Sequence, residues 1–323
     1  MSHENKIKVL TVVGPTASGK TALAVALAKI FDGEIVSADS MQIYKEMNIA
    51  TAKPNDEEKQ GVVHHLMDFL PPSEIFSVAD YVKEAKSIIE DINKRGKLPI
   101  IAGGTGLYVD SLLKGVKFTE EKFDPDLRER LNSEYREFGI EPLLEKLKDI
   151  DFESYQKLER ERNPKRIIRA LEIYETSGVT MSQQIKNSLP EDTPYDAVKI
   201  GLKCEDRQKL YDRINLRVDL MMEQGLLEET EKVLNKPLGA TSVMAIGYKE
   251  LAPYFKGEKS LEQCVEHLKQ ETRRYAKRQL TWFGRDKEIH WILTDKWEGF
   301  QDIVEQAENI CISAGISKKP WKE

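Results

Sequence analysis

The chain has 323 residues, of which 40% are hydrophobic and 32% are charged, and its formal net charge at pH 7 is −6. These values are typical of an ordinary soluble globular protein, and the sequence has neither an internal repeat nor an apolar run near the roughly 18 residues that span a bilayer. They argue against a membrane protein and against a protein that coats nucleic acid over its whole surface, although local basic patches remain compatible with them.

The cysteines and the N-terminus both indicate an intracellular setting. The 3 cysteines lie far apart without metal-ligand spacing, which suits free thiols in a reducing compartment. The polar segment Met1–Lys8 lacks the apolar core of a secretory signal. We therefore expect a cytoplasmic protein.

The first third of the chain predicts strands that alternate with helices. Apolar runs at Val9–Val13, Glu34–Ala38 and Leu98–Ala102 have the length and composition of buried strands. Helical segments are predicted at Ala22–Ile30 and Val78–Asn93. This alternation is typical of βαβ units, so we predict an α/β fold in which helices flank a parallel sheet.

The loop Gly14–Thr21 (GPTASGKT) follows the first predicted strand and precedes the first predicted helix. It fits the pattern G-x-x-x-x-G-K-[ST], in which backbone N–H groups and a helix N-terminus cradle a phosphate chain. Lys20 would reach the terminal phosphates, and Thr21 would hold Mg²⁺ through its hydroxyl group. The pattern predicts a P-loop NTPase-like core. Its phosphate-binding residues would be Gly14, Pro15, Thr16, Ala17, Ser18, Gly19, Lys20 and Thr21.

The other two strands also end in residues that can take part in chemistry. Asp39 follows the second strand and could be a general base, a metal ligand, or only the cap of a following helix. In Gly103–Gly106, after the third strand, Thr105 could donate to a phosphate oxygen, or the segment could be a tight turn without a ligand. Ligands in such sheets bind beyond the carboxyl ends of the strands, so Lys20, Asp39 and Thr105 should converge on one crevice.

Beyond residue 118 the strand pattern disappears and charged helical segments replace it. These segments are Asp126–Lys148, Phe152–Glu161 and Pro164–Ser177. Strand patterns return at Ala197–Cys204 and Glu288–Leu293. We therefore predict that residues 1–118 form the first part of the core, residues 119–195 an all-helical insertion domain, and residues 196–323 the second part of the core.

Dense basic groups occur twice in this acidic protein. One lies opposite the apolar face of a predicted helix at Leu261–Phe283 and comprises Arg273, Arg274, Lys277 and Arg278. The other lies within the predicted insertion, in the segment Arg160–Arg169. Such groups could follow a nucleic-acid backbone or simply face solvent.

Arg213 and Arg217 lie in a further predicted helix, Asp206–Gln224, at a spacing that places both on one side. Paired guanidinium groups suit a polyphosphate leaving group. Taken alone, however, a solvated face that pairs with Asp212 or Asp219 is the better explanation.

Several segments together resemble the bacterial tRNA isopentenyltransferase family, the tRNA dimethylallyltransferases. In chain order they are Gly14–Thr21, Ser37–Pro54, Ile100–Leu113, Asn163–Gly178, Ala245–Leu251 and Arg273–Phe283. The second and last segments are the most specific. The resemblance implies transfer of a dimethylallyl group from dimethylallyl diphosphate to N6 of adenosine 37 in tRNAs that read UNN codons. The products would be N6-(dimethylallyl)adenosine and diphosphate.

The resemblance also implies roles for individual residues. Asp39 would be the general base, Thr105, Arg128 and Lys20 further catalytic residues, and Gly14–Thr21 the site of diphosphate and Mg²⁺. Arg213 and Arg217 would close over the leaving group. Contacts with tRNA are expected from Asp39, Ser40, Met41, Gln42, Lys165, Arg166, Ile167, Ile168, Arg169, Arg273, Arg274, Lys277, Arg278 and Gln279. The implied partner is the tRNA anticodon stem-loop, with adenosine 37 flipped into the site of a monomeric enzyme that needs no membrane.

One position departs from the family pattern, and the residues alone leave other functions open. Many relatives carry a basic residue directly after Trp282–Phe283, where this chain has Gly284 followed by Arg285. A phosphate contact there would be lost or passed to Arg285. The phosphate loop also fits a small-molecule kinase that uses ATP, and the basic groups fit a nucleotide-gated RNA-binding module without transfer chemistry.

Overall fold

The computed structural model describes residues 6–118 and 124–319, which form two compact units. Unit 1 comprises the residues up to Leu113 together with those from Thr193 onward, and unit 2 comprises Lys114–Asp192. The boundary predicted between residues 118 and 119 touches the segment 119–123, which lies outside the described residues.

Unit 1 is built on a parallel sheet. In the described residues its strands are β1 (Ile7–Val13), β2 (Gly33–Ser37), β3 (His64–His65), β4 (Leu98–Gly103), β5 (Tyr195–Lys203) and β6 (His290–Leu293). They lie in the order β3-β2-β4-β1-β5-β6, and each neighbouring pair is parallel. The predicted α/β fold with a parallel sheet is therefore confirmed.

Helices flank this sheet and form unit 2. Within the described ranges they are α1 (Lys20–Phe31), α2 (Asp56–Lys59), α3 (Val78–Lys94), α4 (Gly106–Leu113), α5 (Pro125–Phe138), α6 (Glu141–Ile150), α7 (Phe152–Glu161), α8 (Pro164–Ser177), α9 (Met181–Ser188), α10 (Arg207–Glu223), α11 (Leu226–Leu234), α12 (Tyr248–Phe255), α13 (Leu261–Phe283) and α14 (Phe300–Ser313). Helices α5 to α9 belong to unit 2. None of the helices in this part of the chain is long and apolar enough to cross a bilayer.

The alternation of side chains along β1 divides the core of unit 1 between the two faces of the sheet. Val9 and Val13 belong to one apolar cluster, and Leu10 and Val12 belong to another. Successive side chains of a strand point to opposite faces, so a sheet covered on both sides needs apolar residues at every position. The continuous apolar run that predicts this strand follows from that requirement.

Unit 2 has an apolar core of its own, in which Leu131 and Leu143 are fully buried. The single helical segment predicted at Asp126–Lys148 is wrong, because α5 and α6 replace it. Gly139 ends α5 with a φ of 78°, a left-handed conformation that favours glycine. Pro142 then lies in the first turn of α6, where its missing N–H breaks no helical hydrogen bond.

Several short elements of unit 1 are not indicated by the sequence pattern. Strand β3 spans only His64–His65, which is too short to show an alternation. Helix α12 contains Pro253, which lowers its intrinsic helix propensity. Leu251 of α12 is buried with Leu226 of α11. Packing between these helices, rather than local propensity, therefore stabilises them.

Candidate active site

A cavity of about 380 Å³ lies at the carboxyl ends of β1, β2 and β4 in unit 1. Lys20 from the loop after β1 and Asp39 from the segment after β2 both line it, as does Gly103 at the end of β4. The carboxyl ends of parallel strands meet at one edge of a sheet, so residues far apart in the chain come together there. Thr105 is not among the lining residues, and its Oγ1 accepts a hydrogen bond from the N–H of Ser40 in the segment after β2.

The loop Gly14–Thr21 makes a tight turn from β1 into α1, which confirms the predicted P-loop core. Gly14 has a φ of 146°, and a Cβ there would lie 2.4 Å from the carbonyl oxygen of Leu202, so the turn requires glycine. The buried hydroxyl group of Ser18 has no hydrogen-bond partner among the described residues. The loop therefore offers an unused donor beside a helix N-terminus, as an anion site requires.

Lys20 carries the positive charge of this loop. Its Nζ donates a hydrogen bond of 2.7 Å to the carbonyl oxygen of Pro15. Burial and, to a smaller extent, the positive charge of Arg217 lower the pKa of Lys20 to about 8, against the opposing effect of Asp39. A bound phosphate would add negative charge beside the ammonium group and stabilise its charged form.

Asp39 is a half-buried carboxylate whose Oδ1 accepts hydrogen bonds from the N–H groups of Met41 at 2.9 Å and Gln42 at 3.4 Å. Turns rather than a helix follow it, so it does not cap a helix. Burial raises the pKa of Asp39, and the charges of Lys20 and Arg217 offset this only in part. The result is a carboxylate of increased basicity that faces a cavity with positive charge.

The structure places Arg213 and Arg217 in different surroundings, although both lie on α10. Arg217 lines the cavity, and burial lowers its pKa against the opposing charges of Glu58 and Asp39. The Nη1 of Arg213 instead donates to the Thr294 hydroxyl at 3.1 Å. Only Arg217 therefore belongs to the cavity wall.

Helix α13 presents Tyr275, Arg278 and Gln279 to the cavity. Arg278 and Lys277 are exposed, whereas Gln279 is buried and its amide is bonded to two loops. The other predicted tRNA contacts on this helix have protein partners: Arg273 donates to Asn215 and Glu266, and Arg274 pairs with Glu271.

In unit 2, Arg128 and Arg169 both contact the buried carboxylate of Glu172. Arg128 makes the closer contact, at two points, with its Nη2 2.6 Å from Oε2. Of the segment predicted to contact tRNA, Ile167 and Ile168 are buried in the core of the unit, and Lys165 and Arg166 are exposed. The basic side chains, and not the isoleucines, are therefore accessible to a partner.

Glu229 of α11 is a residue of the site that sequence reasoning missed. Its carboxylate accepts hydrogen bonds from the N–H groups of Ile49 at 2.9 Å and Ala50 at 3.1 Å, and from the Tyr248 hydroxyl at 2.8 Å. Ala50 lines the cavity, so Glu229 fixes part of its wall. No local signal marks this residue, since its partners lie far away in the chain.

The oxygen donors of the cavity fit Mg²⁺. Thr21 lines it with a hydroxyl group, and Mg²⁺ prefers hard oxygen ligands. Such an ion commonly shares its coordination with the phosphate groups of a substrate. The residues present therefore suit Mg²⁺ bound together with a phosphate ligand.

Comparison with known sequences identifies a family that covers most of the chain. The family model described as IPP transferase matches residues 42–286. A tRNA dimethylallyltransferase from Acetivibrio thermocellus is 45% identical over 310 residues, which cover 95% of this chain and 98% of that protein. A tRNA dimethylallyltransferase from Bacillus cytotoxicus is 47% identical over 309 residues, covering 95% and 97%.

Solved structures also match most of the chain. The full-length tRNA isopentenylpyrophosphate transferase from Bacillus halodurans matches with a TM-score of 0.72 and 41% identity, covering 96% of this chain and 97% of that one. A eukaryotic dimethylallyltransferase acting on tRNA matches with a TM-score of 0.77 and 28% identity, covering 98% and 82%. The likeness therefore extends over nearly the whole chain.

Proposed function

Because the chain belongs to the IPP transferase family, we propose that it transfers a dimethylallyl group from dimethylallyl diphosphate to N6 of adenosine 37 in tRNAs that read UNN codons. Relatives named as transferases of tRNA favour this activity over the kinase and the RNA-binding module. The setting would be the cytoplasm. The protein would act as a monomer.

The observation that carries the proposal is that a phosphate loop, a half-buried carboxylate and a half-buried arginine line one cavity. Lys20 and Arg217 supply positive charge there, and Asp39 supplies a base. Prenyl transfer to an amine needs both, because the diphosphate leaves with negative charge and the amine must lose a proton.

Departure of the diphosphate is the first requirement of the reaction. N6 of adenosine forms a bond to the first carbon of the dimethylallyl group while the bond from that carbon to the diphosphate oxygen breaks. The electron pair of the broken bond stays on the diphosphate, where the loop N–H groups, Lys20 and Arg217 stabilise it. Mg²⁺ bound at Thr21 would supply Lewis-acid stabilisation of the same charge.

Removal of the N6 proton is the second requirement. The lone pair of the adenine amine is delocalised into the ring, so the amine attacks weakly and its proton becomes acidic only as the new bond forms. Asp39 accepts this proton, and its raised pKa makes it a better acceptor. The hydrogen bonds from Met41 and Gln42 hold its Oδ1 in place.

The remaining wall of the cavity suits an apolar group. Ile214, Val218 and Met221 of α10 and Leu268 of α13 line this part of the cavity. Adenosine 37 would leave the anticodon stack to enter, as bases do in enzymes that modify them. The inserted base and the apolar wall together would keep water from the developing allyl cation.

Several groups of the protein would bind the tRNA. On α13 we assign phosphate contacts to Lys277 and Arg278, which are exposed. In unit 2 the exposed Lys165 and Arg166 would act in the same way. The segment after β2 would contact the bases near adenosine 37.

Labelled dimethylallyl diphosphate tests the proposal directly. Purified protein with tRNA and Mg²⁺ should move the label into tRNA without consuming ATP. Asp39→Asn keeps an oxygen acceptor for Met41 and Gln42 but lacks the base, so it should bind tRNA normally and turn over about a hundredfold more slowly. Unlabelled tRNA with ATP consumed instead would contradict the proposal, and a rate within a few-fold of wild type would remove Asp39 from the role of base.

A further inference from the structure

Gln279 is a buried polar side chain of α13 that the proposed mechanism does not use. It is 5% exposed, and its amide bridges two loops of the site. Oε1 accepts a hydrogen bond of 2.8 Å from the N–H of Thr16 in the phosphate loop. Nε2 donates a hydrogen bond of 3.0 Å to the carbonyl oxygen of Gly104. One side chain thus connects the phosphate loop to the loop that follows β4.

Two glycines of the loop that follows β4, Gly104 and Gly106, leave room for side chains of α13. A Cβ at Gly104 would lie 2.0 Å from Nε2 of Gln279, and a Cβ at Gly106 would lie 2.2 Å from the ring of Trp282. Nε1 of Trp282 also donates to Asp110 of α4 at 3.2 Å. The helix and the loop are therefore in direct contact along one turn of α13.

The same loop also contacts the segment that carries the proposed base. Thr105 Oγ1 accepts a hydrogen bond of 3.0 Å from the N–H of Ser40, and the N–H of Thr105 donates to the carbonyl oxygen of Ala38 at 3.0 Å. Asp39 lies between these two anchored residues. Gln279 of α13 therefore contacts both the phosphate loop and the loop that holds the segment around Asp39 in place.

A buried N–H or C=O group that loses its hydrogen-bond partner lowers the stability of the protein. The two loops would therefore rearrange if the amide of Gln279 were removed. We propose that Gln279 is a positioning residue for the diphosphate site, which holds the phosphate loop in register with Gly103–Gly106. This inference rests on the proposed function for the identity of the ligand.

Separate measurements of diphosphate and tRNA binding test this assignment. Gln279→Met keeps the length of the side chain and removes both hydrogen bonds, and Gln270→Met makes the same change at an exposed position of α13. With inorganic diphosphate and Mg²⁺ in a calorimeter, Gln279→Met should bind roughly tenfold more weakly than wild type, while its tRNA affinity stays within about twofold. Gln270→Met should bind diphosphate like wild type.

Gly104→Ala gives a second route to the same result, because its Cβ would displace the Gln279 amide. It should weaken diphosphate binding and spare tRNA binding, at an unfolding temperature near that of wild type. Unchanged diphosphate affinity in both folded variants, or an equal loss of tRNA affinity, would overturn the assignment. A wild-type protein that binds diphosphate but transfers no dimethylallyl group would count against the proposed function alone.

Discussion

Burial moves both Lys20 and Asp39 toward their uncharged forms. The pKa of Lys20 is lowered to about 8, and the pKa of Asp39 is raised. Removal from water disfavours the charged form of either group, and their mutual attraction offsets this only in part. An anion bound beside Lys20 would stabilise the charged form of this residue. Binding of the diphosphate and protonation of Lys20 are therefore linked.

The pH dependence of kcat/KM for dimethylallyl diphosphate follows from these two shifts. As pH falls, Asp39 takes up a proton and ceases to be a base, and its raised pKa starts this loss at a higher pH than for an ordinary aspartate. As pH rises through about 8, free protein loses the Lys20 charge that attracts the diphosphate, well below the usual value of 10.5. We therefore expect a bell-shaped profile.

Lys20→Arg checks which group causes the alkaline limb. A guanidinium group stays charged, so the fall above about pH 8 should move to higher pH, even if the overall rate is lower. An alkaline limb that is the same in both proteins would mean that another group causes it.

Helix α13 faces the apolar core, the cavity and solvent, and this limits what its sequence pattern can predict. The pattern places Arg278 opposite the apolar face, and the structure places it at the cavity. Gln279 is polar and yet buried, because the loops of the site supply its partners. A helical wheel separates apolar from polar positions, but it cannot distinguish solvent from a polar site.

Lys277 tests the tRNA-facing side of this helix. Lys277→Ala should weaken tRNA binding and reduce the slope of log Kd against log salt concentration by about 1, because one phosphate contact is lost. Diphosphate binding should not change, since the side chain is exposed. Lys86→Ala, at an exposed position of α3, should change neither. A salt slope equal to that of wild type would place Lys277 on a solvated surface instead.

For the molecule as a whole, the sequence predicts those features that depend on local patterns of apolar and polar residues. Three apolar runs, each followed by a chemically distinctive segment, are sufficient to predict a parallel sheet with Lys20 and Asp39 at one edge. The pattern does not reveal that Arg213 turns away to Thr294, or that Glu229 holds the wall at Ala50. Those contacts depend on how distant elements pack, which periodicity and propensity do not contain.

Analysis of the nucleosides in the modified tRNA tests the central claim most directly. After reaction with dimethylallyl diphosphate, the tRNA is digested, and mass spectrometry locates the modified residue. We expect N6-(dimethylallyl)adenosine at position 37 of tRNAs that read UNN codons, and no product on a tRNA with guanosine at that position. A dimethylallyl group found on another nucleoside, or on the guanosine-37 tRNA, would contradict the proposed function.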